Sequence, residues 1–282
     1  MLEEVAGVAV SPLSPAIGAV VEGLNLAESL DEEKFGALQA ALVQHQVLFF
    51  RDQSLTPKQH RDFAARFGPL HIHPIYPNHT EAPEVIVLDS AATDLTDNAI
   101  WHTDVTFTER PPMGSVLLAR MLPPQGGDTL WASCAAAYEA LSPALQQFLL
   151  TLSATHNIAQ SFPPERFGMS REAAEKLEAA KRNNPPVKHP VIRTHPVSKR
   201  RGLFVQEGFT THINELAPGE SRALLNFLFQ HSIRPEFTVR WKWREGDVAF
   251  WDNRNTLHYA TDDYRPARRV MNRATIIGDR PV

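Results

Sequence analysis

The segment FTVRWKW at 237–243 alternates apolar and polar side chains with a period of two. Only an extended strand places every second side chain on one face, so the segment predicts a strand with Thr238, Arg240 and Lys242 toward solvent. Short apolar runs bounded by polar residues or turns predict further strands at EVIVLD (84–89), SVLLARM (115–121) and DVAFWD (247–252). The strands do not alternate regularly with helices, which favours a sandwich or barrel over a doubly wound parallel sheet.

Helices are predicted in the stretches between these strands. Thr56 is placed to cap a helix whose first residue is Pro57, and Gln59 would complete a capping box. Other helices are predicted after Asp31, from Ser142-Pro143, after Ser170, and from Pro218 to about His231. The pattern as a whole predicts a mainly β chain with helical insertions, an α+β protein with a double-stranded β-helix (jelly-roll) core. Because Pro and Gly are scattered and do not form a linker, we expect one domain over residues 1–282.

The composition excludes several classes of partner. A net charge of −4 gives no reason to expect a phosphate-binding surface, so nucleic acid is not an expected partner. No stretch approaches 18 consecutive apolar residues, so no membrane span is expected. The chain has one cysteine, and its first ten residues, MLEEVAGVAV, are acidic where a secretory signal would be basic. We therefore expect a cytoplasmic protein.

The segment IWHTDVTF at 100–107 is predicted to be a strand, yet it contains a histidine and a carboxylate two positions apart. In a strand His102 and Asp104 would share one face, with Cα atoms about 6.6 Å apart, and could bind one ion. The best third ligand is His258, which follows the strand 247–252 and a turn-like DNRN. Two histidines and one carboxylate form the facial triad of non-haem iron(II) oxygenases, which leaves positions open for O₂ and a cosubstrate.

The same spacing also occurs outside iron sites. H-x-D pairs are common as surface polar residues or as a hydrogen-bonded His–Asp couple. A zinc hydrolase could also use an H-x-D pair and a distant histidine. On spacing alone, these alternatives stay open.

The last predicted strand, RVMNRATII at 269–277, places Arg269 and Arg273 on one face, about 13 Å apart. A guanidinium that points toward a core is unfavourable unless it meets an anion, and its fork geometry suits a carboxylate, sulfonate or sulfate. The alternative is that this face of the strand is simply solvated. Thr129, in the turn-and-strand segment GGDTLW, could offer a hydroxyl to a carboxylate, although threonine is common in strands for packing reasons.

Taken together, several long segments resemble the iron(II)- and 2-oxoglutarate-dependent taurine dioxygenases. The resemblance runs from the N-terminal segment to the end of the chain, and it is carried by AVSPLSPAIGAVVEGLNL, LHIHPIYP, WHTDVTF, GGDTLW, NPPVKHPVIRTHPVS, LFVQEGFTT, WDNRNTLHYA and YRPARRVMNRATI.

The resemblance implies the following ligands. His102, Asp104 and His258 would hold Fe(II). Arg269, with Thr129 assisting, would bind the distal carboxylate of 2-oxoglutarate, whose keto acid end chelates the iron. The resemblance also implies residues around a substrate: Arg273 with His73 at the sulfonate, Tyr76, Asn98 and also Asp97 at the amine end, and Ser161, Phe162 and Phe209 closing the pocket.

The reaction implied by the resemblance is hydroxylation of taurine at the carbon that bears sulfur, with O₂ and 2-oxoglutarate consumed. The products would be sulfite and aminoacetaldehyde, with succinate and CO₂. Two alternatives remain open: a related dioxygenase acting on alkyl sulfates, other sulfonates or an aryloxyalkanoate, and a non-catalytic jelly-roll protein that binds sulfonates. We also expect a homo-oligomer.

Overall fold

Two mainly antiparallel β-sheets face each other across a layer of aromatic side chains. A computed structural model describes residues 3–72, 76–91, 98–162 and 171–282. Within these ranges the larger sheet contains ten strands. They are β1 (Glu3–Val5), β2 (Val8–Pro12), β3 (Ala19–Glu22), β4 (Val47–Phe50), β5 (Leu70–His71), β6 (Asn78–His79), β7 (Ala82–Asp89), β8 (Gly114–Met121), β16 (Val248–Asp252) and β18 (Val270–Ile276).

The strand order of the larger sheet is β1-β2-β3-β4-β16-β8-β18-β7-β6, with β5 paired to β18. The smaller facing sheet has the order β15-β9-β17 and consists of β9 (Thr129–Ser133), β15 (Thr238–Trp241) and β17 (Thr256–Ala260). The remaining strands form two small sheets from β10 (Ser153–His156), β11 (Val187–Pro190), β12 (Ile192–Thr194), β13 (Arg201–Leu203) and β14 (Thr210–Ile213). The two facing sheets form the double-stranded β-helix, or jelly-roll, core that the sequence predicts.

The helices of the described ranges lie outside this core. They are α1 (Glu32–His45), α2 (Pro57–Ala65), α3 (Cys134–Glu139), α4 (Pro143–Leu149), α5 (Arg171–Asn183) and α6 (Pro218–Ser232). Thr56 and Gln59 form the predicted capping box at the start of α2. Among the described residues, none of the helices combines the length and apolarity that a bilayer crossing requires.

The layer between the sheets depends on the alternation of strand side chains. Phe49 of β4 points into this layer, where its ring stacks on Trp241 of β15 with a centroid distance of 4.2 Å and an interplanar angle of 9°. The next residue, Phe50, packs on the opposite face among the side chains under α1 and α2. Strand β4 is therefore buried on both faces, and its sequence VLFF carries no alternation by which to recognise it.

The strand predicted for residues 100–107 is wrong. His102 forms an isolated bridge, and the chain then turns over residues 104–107. Val105 has a φ of +55°, in the left-handed region that a β-branched residue rarely occupies. The alternation at 237–243 is confirmed for Val239, Trp241 and Trp243, whereas Phe237 lies in a 3₁₀ turn and packs in a separate cluster that includes side chains of α6.

We expect Phe49→Ala to lower the free energy of unfolding by about 3–5 kcal/mol, since it leaves a cavity between the sheets. Denaturant unfolding would measure the loss. Phe227→Ala is the matched control, because the Phe227 side chain is largely exposed on α6. Equal losses in both variants would show that the inter-sheet layer is not the core of the fold.

Candidate active site

Three predicted metal ligands meet at the mouth of the jelly roll. His102 pairs with His258 of β17 through two backbone hydrogen bonds, His102 N–H to His258 O at 3.0 Å and His258 N–H to His102 O at 2.8 Å. Asp104 follows two residues after His102, at the start of a turn. Its Oδ1 lies 3.8 Å from His102 Nε2 and 3.7 Å from His258 Nε2. One ligand atom from each residue lies within 4.8 Å of the others, and all three residues are buried. One ion can therefore contact all three side chains.

Hydrogen bonds fix the orientation of these ligands. His102 Nδ1 lies 2.7 Å from the carbonyl oxygen of Ile100. A carbonyl only accepts, so Nδ1 carries the proton and Nε2 presents its lone pair toward Asp104. Asn253 clamps the backbone of Asp104: its Oδ1 accepts from Asp104 N–H at 2.9 Å, and its Nδ2 donates to Asp104 O at 3.1 Å. This role of Asn253 was not predicted from the sequence.

Burial favours the neutral form of His258 beside the carboxylate of Asp104. Burial lowers the pKa of His258 well below its usual value, and the nearby His102 lowers this pKa further. Neutral imidazole is the form that binds a metal. Two imidazole nitrogens and one carboxylate oxygen, with one side of the set facing two pockets, fit the facial arrangement of a non-haem iron(II) site.

Arg273 of β18 lies against the candidate metal ligand. Its NH1 donates to Asp104 Oδ1 at 3.1 Å, and Ser115 Oγ lies 3.4 Å from Asp104 Oδ2. The prediction that Arg273 points into the core is confirmed. Its contact with Asp104 was not predicted, and it means that Arg273 acts on the ligand carboxylate as well as on the pocket.

The first pocket beside the three ligands has a volume of about 580 Å³ and is lined by Thr129, His258, Arg269 and Arg273 among others. Arg269 Nε donates to Gly127 O at 3.1 Å, and within the described residues its NH2 has no hydrogen-bond partner. Burial lowers the pKa of Arg269. A buried cation with an unpaired N–H indicates an anion site.

Two neighbours shape this anion site. Trp243 Nε1 donates to Thr129 Oγ1 at 3.0 Å, which leaves the Thr129 hydroxyl proton free to donate elsewhere. Gly127 has a φ of +71°, and a Cβ on it would lie 3.1 Å from Arg269 Cδ. The second glycine of GGDTLW therefore gives Arg269 room to reach the pocket.

The second pocket has a volume of about 720 Å³ and shares Asn98 and Arg273 with the first. The structure brings together the predicted residues Tyr76, Asn98, Ser161, Phe162, Phe209 and Arg273 on its wall. The predicted His73 and Asp97 lie outside the described residues.

Further residues of this wall are not among the site residues that the resemblance implies. His71, Phe107, Ile158, Ala180 and Asn184 also line the second pocket. His71 pairs with Thr275 of β18, so only the sheet register places it beside Arg273. Ala180 belongs to α5, whose amphipathic sequence predicts a buried face without saying what that face covers.

Comparisons with known proteins agree with this geometry. The model of the family described as Taurine catabolism dioxygenase TauD, TfdA family matches residues 9–275. The chain belongs to this family. Its fold is also similar to that of a taurine dioxygenase from Burkholderia xenovorans, with 39% identity and a TM-score of 0.84 over 98% of this chain and 91% of the other.

Relatives with named activities differ in substrate. The chain is 37% identical to an alpha-ketoglutarate-dependent sulfate ester dioxygenase of Pseudomonas putida, over 97% of this chain and 90% of the relative. It is 34% identical to an alpha-ketoglutarate-dependent 2,4-dichlorophenoxyacetate dioxygenase of Cupriavidus pinatubonensis, over 96% of this chain and 98% of the relative. The chain is thus an alpha-ketoglutarate-dependent dioxygenase, an oxidoreductase of a family that uses Fe(II), 2-oxoglutarate and O₂.

We expect His258→Ala to lose metal binding, since one of three ligands is removed. Anaerobic titration with Mn(II), followed by the rise in melting temperature, would measure this without any turnover. His212→Ala is the matched control, because His212 is exposed and lies outside both pockets. A His258→Ala protein stabilised by Mn(II) as strongly as the control would contradict the ligand assignment.

Proposed function

We propose that this protein hydroxylates taurine at the carbon that bears sulfur, with release of sulfite and aminoacetaldehyde and conversion of 2-oxoglutarate to succinate and CO₂. The observation that carries the proposal is a pair of buried arginines beside the His102, Asp104 and His258 set: Arg269 lines the first pocket, and Arg273 lines both pockets. Two anions can therefore bind next to the same metal. We also propose that residues 1–282 act as one dioxygenase domain.

The cosubstrate belongs in the pocket of Arg269. The guanidinium would bind the distal carboxylate of 2-oxoglutarate, and the Thr129 hydroxyl would donate to the same group. Both side chains are fixed before binding, Arg269 by Gly127 O and Thr129 by Trp243. Fixed donors lose little conformational entropy when the cosubstrate binds.

The sulfonate belongs beside Arg273. A sulfonate stays ionised at any physiological pH, so it needs a cation that does not titrate, which arginine supplies. Burial and the charge of Arg273 lower the pKa of the neighbouring His71. His71 is therefore suited to a neutral hydrogen bond and unsuited to serve as the permanent charge.

Within this site the chain's residues bind and orient the reactants. Bound iron, with O₂ and 2-oxoglutarate, supplies the oxidising chemistry. Arg273 would hold the sulfonate close to the metal ligand Asp104, so that the adjacent carbon lies toward the metal. Phe107, Phe162 and Phe209 line the same pocket and keep bulk water from the reacting carbon.

The polar groups of the second pocket support a short amine tail. Tyr76 and Asn98 line this pocket with Arg273 and provide hydrogen-bonding groups besides the guanidinium. The similarity to a taurine dioxygenase structure supports the same substrate.

A second candidate is a sulfate ester with an apolar tail. It is favoured by the aromatic wall of the second pocket and by the similarity to a sulfate ester dioxygenase. The two candidates differ in the part of the substrate that the wall of the second pocket must contact. In taurine this part is the amine with its N–H groups, and in the sulfate ester it is a hydrocarbon chain.

A substrate panel separates the two candidates. We expect sulfite release from taurine with a higher kcat/KM than sulfate release from hexyl sulfate or turnover of 2,4-dichlorophenoxyacetate. Succinate formation measures turnover for every substrate, and sulfite or sulfate identifies the bond that breaks. A higher kcat/KM for hexyl sulfate would replace taurine by the second candidate.

The two arginines should separate the two anions. With metal at saturation, we expect Arg269→Ala to weaken 2-oxoglutarate and Arg273→Ala to weaken the sulfonate, each by about 2–5 kcal/mol, because each removes a charged partner in a buried pocket. Because Arg273 also donates to Asp104, its variant should need more metal to reach saturation.

Calorimetric titration of each ligand would measure the losses. Arg268→Ala is the control, since Arg268 is exposed and paired with Asp89. Equal losses for both ligands in both variants would contradict the assignment.

A further inference from the structure

A group of buried polar side chains makes hydrogen bonds to the turn that carries Asp104. None of these side chains lines either pocket. We call this group the turn cluster; it consists of Thr106, His156, His189, Gln206 and Thr210. The family resemblance implies no role for any of these residues. Their contacts converge on the backbone and side chain of Thr106, two residues after the candidate metal ligand.

The hydrogen bonds of the turn cluster can be assigned from donor chemistry. His189 Nε2 lies 2.9 Å from Thr106 O and 3.0 Å from Thr108 O, and since carbonyls only accept, this nitrogen donates to both. Gln206 Nε2 donates to Thr106 Oγ1 at 3.0 Å. The Thr106 hydroxyl then gives its own proton to His156 Nδ1, which lies 2.9 Å away.

Both histidines are neutral in this arrangement. Burial lowers the pKa of His156 to about 3 and also lowers the pKa of His189. The turn cluster is therefore a set of neutral hydrogen bonds in a dry environment, in which each missing partner would leave a buried group unsatisfied.

Gln206 connects this cluster to the wall of the substrate pocket. Its Oε1 accepts from the N–H of Phe209, and the Phe209 ring packs against Phe107 with a centroid distance of 4.9 Å. The loop between them lies directly on a metal ligand, since a Cβ on Gly208 would lie 3.0 Å from His102 Cβ. One side chain thus bridges the ligand turn and the substrate wall.

We propose that Thr106 and Gln206 are positioning residues that join the Asp104 turn and the Phe209 wall into one unit. The backbone of Val105 gives a physical reason why the turn needs these contacts. Its left-handed backbone is strained for a β-branched residue, so the turn needs surrounding contacts to hold Asp104 in place. The proposal rests on the iron site of the proposed function and is independent of which sulfonate or sulfate is the substrate.

The test compares Thr106→Val, which keeps the shape of the side chain but removes the hydroxyl, with Thr106→Ser, which keeps the hydroxyl. We expect Thr106→Val to weaken Mn(II) binding about 10-fold or more, as is typical when a partner that orients a ligand is removed, and Thr106→Ser to stay within about 2-fold of the wild type. The readout is the Mn(II) dependence of the melting temperature under anaerobic conditions, which requires no turnover.

Two further variants make the result specific. Ser221→Ala removes a buried hydroxyl outside the turn cluster that accepts from Ile213 N–H, and should lower the melting temperature without changing Mn(II) affinity. Gln206→Leu should raise KM for the substrate more than it weakens Mn(II), because Gln206 contacts the Phe209 backbone directly and Asp104 only through Thr106. It also replaces Thr106→Val if that variant does not fold.

Three outcomes would overturn the proposal. These are an unchanged Mn(II) affinity in Thr106→Val, an equal loss in Ser221→Ala, and a failure of Thr106→Ser to restore binding. Failure of the proposed function looks different, because taurine would then not be turned over by the wild type while the ranking of Mn(II) affinities among the variants remained.

Discussion

The site depends on one backbone pairing, the two hydrogen bonds that join His102 to His258. This bridge adds the segment before Asp104 to the edge of the smaller sheet, next to β17. It brings two imidazoles from distant parts of the chain to a ring-centroid distance of 4.1 Å. Without it His258 would not meet His102 and Asp104, and no ion could contact all three.

Around that bridge the electrostatics follow from burial. A carboxylate and two arginines are buried beside the two pockets, and burial lowers the pKa of His258 there. Arg273 is paired with Asp104, yet its Nε has no hydrogen-bond partner among the described residues, and the same holds for NH2 of Arg269. A buried guanidinium with an unpaired N–H is unfavourable unless an anion joins it, so both arginines favour anionic ligands in the pockets that they line.

Several features could be predicted because they are local. The capping box of α2 and the alternation in β15 depend on neighbouring residues, and the register of β18 gives Met271, Arg273 and Thr275 one common face. The H-x-D pair was found for a partly wrong reason, since a bridge and a left-handed turn bring the side chains together and an extended strand does not. Strand β4 was missed because burial on both faces erases the pattern that would reveal it.

The sequence by itself determined which chemical groups are present: two imidazoles, a carboxylate and two permanent cations. Only the tertiary structure decided that Arg273 contacts Asp104, that His71 lines the second pocket, and that Gln206 bridges Thr106 and Phe209. The physical reason is the distance along the chain between the residues that interact. Strand alternation and helix caps arise within a few residues, whereas these contacts join residues that are far apart in the chain and meet only after the sheets have paired.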